Sequence, residues 1–260
     1  MKRNLYFDIL FSALGGLLLL FIVLPLISIL LGTTPQTLWS ALIDPEVLRS
    51  IGLTFGAAGI ATLLAAATGV PLAFLLARRN FRGKRLVEAL VNLPIVIPHT
   101  AAGVALLLVF GRRGLLGQWL EPLGIAFTDN FDGIVVGMLF VSLPFLVNLS
   151  RESFALVDEE LERVALIDGA TPWQAFWYVS LPQAWRGVLA GALMMWARGI
   201  SEFGAVVILA YHPKIVPVLV FERFQGFGLV AAQPVAALLI LVALTTFVFL
   251  RLSLLQESTS

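Results

Sequence analysis

The chain has 260 residues, of which 59% are apolar and only 13% charged. A soluble domain carries about 25% charged and roughly 45–50% apolar residues, so a water-soluble globule is excluded and lipid is the expected solvent. With 17 basic and 16 acidic residues the net charge is +1, which implies no nucleic-acid partner. The absence of cysteine excludes disulfides, thiolate metal sites and cysteine nucleophiles, and two histidines, His99 and His212, do not suggest a metal centre.

A helix that crosses a bilayer needs about 20 mostly apolar residues. Six stretches meet this, over residues 5–31, 51–77, 86–110, 133–157, 187–210 and 229–255. The first follows Lys2 and Arg3, as a signal peptide does, but its apolar run is too long and no small-x-small cleavage site follows, so an anchor is expected. The second is rich in small residues, including Gly52, Gly56, Gly59, Ala61, Ala65, Ala66, Ala67 and Gly69, which let helix backbones approach closely in lipid. The third is interrupted by Pro94 and Pro98, each lacking a backbone donor. Either this span lines a polar cavity served by Asn92, His99 and Thr100, because broken helices at membrane depth need such a setting, or the prolines merely bend a helix near its end.

Basic residues in the loops assign the sides of the membrane. With a cytoplasmic N-terminus, one side holds Lys2, Arg3, Arg78, Arg79, Arg82, Lys84, Arg85, Arg151, Arg163, Arg186 and Arg251, and the other only Arg49, Arg112, Arg113, Lys214 and Arg223. Both termini are therefore expected in the cytoplasm. Of these, Arg112, Arg113, Lys214 and Arg223 can steer an anion or pair with acidic groups of an external protein, or be ordinary solvated loop charges. Arg198 and Glu202 stand four apart inside the fifth span, which puts them on one helix face. They are either a structural ion pair or a charged point on a path through the bundle, Arg198 meeting what passes while Glu202 restrains it.

Residues 158–182, between the fourth and fifth spans, read DEELERVALIDGATPWQAFWYVSLP. Leu161, Val164 and Ala165 fall at i, i+3, i+4 with acidic residues in the first turns, which predicts a helix. Gly169 fits its C-terminal stop, Thr171 an N-cap and Pro172 the first position of a second helix. Trp173, Phe176 and Trp177 then repeat the spacing. A helix–turn–helix with an aromatic knob is expected, lying on the membrane interface or filling a groove on a soluble partner.

The stretch from Arg163 to Pro182 resembles the cytoplasmic signature of binding-protein-dependent ABC importer permeases: Glu-Ala-Ala, three residues, Gly, nine residues, Ile, one residue, Leu-Pro. Ala165, Gly169, Val179, Leu181 and Pro182 are in register. Arg163 and Val164 depart from it, and Glu162 is one place out of register. The resemblance implies an all-α, six-span type I importer fold in one transmembrane domain, residues 1–260, in the plasma membrane. It further implies that 158–182 is the coupling element, with Glu162, Arg163, Ala165, Gly169, Thr171, Pro172, Trp173, Phe176, Trp177, Leu181 and Pro182 meeting the ATPase. The partners it implies are a second copy of the chain, two cytoplasmic ATP-binding subunits and an external substrate-binding protein. No G-x-x-x-x-G-K-[ST] loop is present, so ATP and magnesium are expected on the partner ATPase and no cofactor in this chain.

Residues 93–100, LPIVIPHT, followed by GRRGLLG at 111–117, are similar to molybdate and tungstate permeases, and SEFGA at 201–205 to a segment they share with sulfate permeases. Molybdate or tungstate is the expected cargo, sulfate or thiosulfate the alternative. Pro94, Pro98, His99, Thr100, Arg198, Ser201 and Glu202 are the candidate path. The rival class, a stand-alone secondary transporter or channel, predicts inverted repeats, and only Leu-Pro recurs, at 93–94, 143–144 and 181–182. An intramembrane enzyme finds no nucleophile–base motif.

Overall fold

The computed structural model describes residues 5–256, so Lys2 and Arg3 lie outside it. It is helical throughout, with no strand among the described residues. In chain order the helices are α1 (Leu5–Leu31), α2 (Pro35–Ile43), α3 (Pro45–Arg78), α4 (Lys84–Val96), α5 (His99–Phe110), α6 (Gly117–Leu120), α7 (Phe131–Leu156), α8 (Glu159–Ile167), α9 (Pro172–Ala175), α10 (Leu181–Ile200), α11 (Gly204–Leu209), α12 (Val216–Phe227) and α13 (Leu229–Gln256). A π-helical turn, Phe176–Ser180, joins α9 to α10.

Four of the expected spans correspond to single helices, α1, α3, α7 and α13, and these are long and apolar enough to cross a membrane. The third is instead a pair, α4 and α5, bent by 115°. The fifth is divided as well: α10 stops at Ile200, α11 starts at Gly204, and α10 with Gln183, Arg186 and Arg198 does not qualify on apolarity. The described residues thus hold four qualifying helices, or five if the bent pair is one span, rather than six uninterrupted spans.

α3, α7 and α10 form the centre. One face of α3 buries Ala57, Ala58, Ala61, Ala65, Gly69 and Ala73 at mostly four-residue spacing. A β-carbon at Gly69 would lie 3.1 Å from Val147 on α7, and one at Gly199 3.3 Å from Ala58. Small residues therefore set the approach of these helices, the packing that replaces the hydrophobic drive in lipid. Gly52 and Gly56 take no part: open space surrounds both. The contact face is made mainly by alanines.

The third span breaks where proline acts on both sides of one bond. Ile97 precedes Pro98 and is extended at φ −76°, ψ 144°, as residues before proline tend to be. Pro94 and Pro144 sit inside helices without breaking them. Packing decides the difference: α5 lies tightly on α11, where a β-carbon on Gly204 would come within 2.7 Å of His99 and one on Gly103 within 2.9 Å of the Ala205 carbonyl.

Candidate functional site

At one end of the bundle, α7 hands over to the element formed by α8 and α9. Asp158 caps α8 by accepting from the Glu160 amide at 2.9 Å. Gly169, at φ +92°, ends it in the left-handed conformation glycine tolerates, and the Ala170 amide returns to the Ala165 carbonyl at 2.9 Å. Thr171 and Gln174 then form a reciprocal capping box around Pro172. The second arm is not a free helix. It runs through the π turn into α10, with the Leu181 amide bonded to the Phe176 carbonyl. Pro182 has no amide to offer Tyr178, which favours this wider turn.

The three rings meet, with centroids 5.4–6.0 Å apart, but they do not share one exposure. Trp173 and Trp177 are 67% and 45% exposed, whereas Phe176 is 8% exposed. Phe176 therefore turns inward rather than forming part of the expected knob: it packs edge-on against Phe74 of α3 at 5.0 Å and near Phe154 of α7 at 6.0 Å. Outward, Trp173, Trp177, Tyr178, Leu161, Val164 and Ile167 make an exposed apolar face. Arg163, Thr171, Pro172 and Pro182 are exposed, and Ala165 and Leu181 half-buried. Glu162 is not on this face: it accepts from Arg78 Nε at 2.7 Å.

Deeper in the bundle, the two helix breaks meet. Arg198 Nη2 donates to Glu202 Oε2 at 2.8 Å and lies 2.8 Å from His99 Nδ1. Its Nη1 donates to the Ser201 hydroxyl at 3.2 Å. Glu202 is 1% exposed and also accepts from the Ala205 amide at 2.9 Å, closing the start of α11. Since α10 ends at Ile200, the Arg198–Glu202 pair spans a helix end rather than a helix face. Gly199 packs on Ala58 of α3, so the cluster lies about 20 Å along the bundle from Pro45, at 1.5 Å per residue. Pro98, Thr100 and Ser201 are exposed beside it, while Pro94 is buried one turn before the break.

At the far end of α3, a charged network joins α2, α3 and α12. Arg223 donates to Asp44 at 2.6 Å, and Lys214 to Glu222 at 2.7 Å and Glu46 at 3.1 Å. The hydrogen bond from Arg223 holds the Asp44 carboxyl below the usual carboxylate range, and the one Lys214 donates to Glu222 raises the Lys214 ammonium. Tyr211 donates to Glu222 at 3.0 Å, and burial first, then this carboxylate, raises the phenol. Lys214 and Arg223 are therefore neutralised within the chain, and Arg112 stands 3.5 Å from Glu121. Residue spacing carried no sign of Asp44, Glu46 or Glu222, because their partners lie between 8 and 179 positions away. Arg78 appeared only as one member of a basic run. Among the described residues no group of three or more His, Asp or Glu is arranged to hold a metal ion.

The chain is 43% identical over 253 residues, 96% of each protein, to the molybdate/tungstate transport system permease protein of Pyrococcus furiosus. It is 34% identical to the sulfate transport system permease protein of Synechocystis, over 92% of this chain and 86% of that one. Its fold matches a subunit in the crystal structure of a bacterial alginate ABC transporter in complex with an alginate pentasaccharide-bound periplasmic protein, with a TM-score of 0.76, 16% identity and coverage of 96% and 93%. The model of one family, the binding-protein-dependent transport system inner membrane components, matches residues 69–258. The helical bundle, the 158–182 element and this match together make the chain a member of that family, with the type I ABC importer permease fold.

Proposed function

We propose that the chain is the permease subunit of a molybdate/tungstate importer, two copies forming a pore with two cytoplasmic ATPases and an external binding protein. The observation that carries the reading is the apolar face of residues 158–182: Trp173, Trp177 and Ile167 stand exposed on an element whose ends are capped and whose base is buried. Such rigid aromatic anchors suit a groove on a soluble partner. Two identical elements related by a two-fold axis suit two ATPases. ATP and its magnesium belong to those partner chains. The α8 end is cytoplasmic in this reading, because the run Arg78–Arg79 to Lys84–Arg85 lies there. Both chain termini are then cytoplasmic too.

Each step assigned to this chain is mechanical or electrostatic. ATP binding draws the ATPases together, the 158–182 elements follow, and the bundles rock so that the cavity opens outward. The binding protein delivers its anion, and hydrolysis returns the cavity inward. The path runs past the junction of the two breaks, along the Thr100 and Ser201 hydroxyls and the first amides of α5, which have no intrahelical acceptor. Arg198 is held by Glu202, so the path does not grip a dianion with an unopposed cation. Molybdate, tungstate and sulfate share shape and charge, which puts selection mainly in the binding protein. The permease of Pyrococcus furiosus supports the molybdate/tungstate assignment.

The test is uptake by proteoliposomes holding the chain with its ATPase and binding protein. Binding-protein-dependent entry of labelled tungstate, with little competition by phosphate, is expected. Sulfate entry without tungstate entry would move the assignment to sulfate, entry of a sugar would overturn the oxyanion reading, and uptake without the ATPase would make the chain a stand-alone transporter.

A further inference from the structure

The α8 end of α3 grips its neighbours at two points one helical turn apart. Phe74 packs against Phe154 at 5.3 Å and Phe176 at 5.0 Å. Arg78, four residues on and so on the same face, donates through Nε to Glu162 at 2.7 Å and through Nη2 to the Val157 carbonyl at 2.9 Å. Its side chain is 6% exposed and that of Glu162 16%. One guanidinium thus joins three elements: the end of α3, the carbonyl of Val157 that caps α7, and α8. A planar guanidinium fixes the directions of both bonds, whereas a lysine ammonium reaches two acceptors without that fixed geometry.

Little else fastens α8. None of its residues is buried. Its other side-chain ion pair, Arg163 with Glu159, is internal and exposed on both sides. Among the described residues, the Arg78–Glu162 pair is the one polar bond from α8 to a membrane helix. Beyond it, α3 runs unbroken for 34 residues, about 50 Å, to the network around Asp44 and Glu46.

We propose that Arg78 is the positioning residue through which the coupling element moves the membrane bundle: displacement of α8 and α9 reaches α3 through the Arg78–Glu162 bond and the Phe74 ring behind it. This rests on the reading of 158–182 as the ATPase-docking element. Without the bond the outward face still docks, but α8 shifts without taking α3 along. ATP is then hydrolysed without import.

The experiment measures ATP hydrolysed per tungstate imported by the full transporter in proteoliposomes, with ATPase retention on the purified permease measured in parallel. Arg78→Met keeps volume and removes the bond. It should retain the ATPase and raise the ratio about tenfold, the middle of what coupling residues commonly move. Glu162→Gln, which still accepts a hydrogen bond, should raise it less than Glu162→Ala, and Arg78→Lys should fall between wild type and Arg78→Met. An unchanged ratio in Arg78→Met overturns the proposal. So does loss of the ATPase from it, which would make Arg78 a support of the docking face. If Arg78→Met does not reach the membrane, Glu162→Ala decides, and an unchanged ratio there overturns it equally. Failure of the docking reading itself would appear in the unsubstituted protein, as no bound ATPase.

Discussion

The two ends of α3 are both held by charge, in opposite ways. At the α8 end a single arginine is nearly buried, has two acceptors, and is backed by three phenylalanine rings. At the α2 end Asp44, Glu46, Lys214, Glu222 and Arg223 share bonds in a network open to solvent, with Glu46 and Glu222 about half exposed. A buried pair fixes geometry, because removing one partner strands the other. An exposed network tolerates the loss of one bond and is screened by salt. The first arrangement suits a joint that must move as one piece, and the second a contact that can open and re-form.

The largest break in this contrast is at the α8 end. Phe176→Ala removes a buried ring lying between Phe74 and Phe154, and such truncations cost about 3–5 kcal/mol. A fall in the unfolding temperature of the purified permease, larger than for any single alanine substitution in the α2-end network, is expected. A melting temperature equal to wild type would mean that Phe176 belongs to the exposed knob after all. Trp173→Ala should separate the two roles of the element. It leaves the melting temperature unchanged, but weakens ATPase binding by about 2 kcal/mol, roughly thirtyfold, as expected of an aromatic anchor. Binding measured between detergent-solubilised permease and ATPase checks this; unaltered affinity removes Trp173 from the interface.

These predictions also mark how far the sequence reaches. The spacing of Trp173, Phe176 and Trp177 correctly brings the rings together, because side chains three and four apart on a helix are neighbours. It does not say which of them faces in, since that depends on Phe74 and Phe154, supplied by helices far away in the chain. The long spans were legible because lipid imposes a length and an apolarity that composition records. The break after Ile97 was half legible: Pro94 and Pro98 look alike in sequence, and only the docking of α5 on α11 separates them. The break at residues 201–203 was not legible, because no proline marks it and Glu202, which closes it, reads as one of a pair on a continuous helix. α2 and α12, with 9 and 12 residues, are too short to register as spans. Yet they carry or flank most of the α2-end network.

The smallest effect concerns how that network responds to pH. Asp44 is lowered, chiefly by the hydrogen bond from Arg223 and with help from the backbone amides of Glu46 and Val47, against burial that acts the other way. A carboxylate with a depressed folded pKa adds stability that is fully present above its unfolded value, about 3.9, and is lost as pH falls through the folded one. Lys214 is raised, first by the Glu222 hydrogen bond, so its contribution is full below about 10.4 and is lost only as pH rises through a still higher value. Both contributions are therefore intact across neutral pH, and the Asp44 one is lost in acid. Because Asp44 and Arg223 remain 30% and 22% exposed, screening limits the bond to about 0.5–1 kcal/mol. In a 260-residue chain that corresponds to roughly 2 °C in melting temperature. Asp44→Asn still accepts from the Glu46 amide but cannot ionise. Its melting temperature should lie about 2 °C below wild type at neutral pH, and the gap should close as pH falls below about 3.9. Raising salt at neutral pH should narrow the gap as well. A gap that persists unchanged in acid would assign the effect to the shape of the α2–α3 corner rather than to the charge of Asp44.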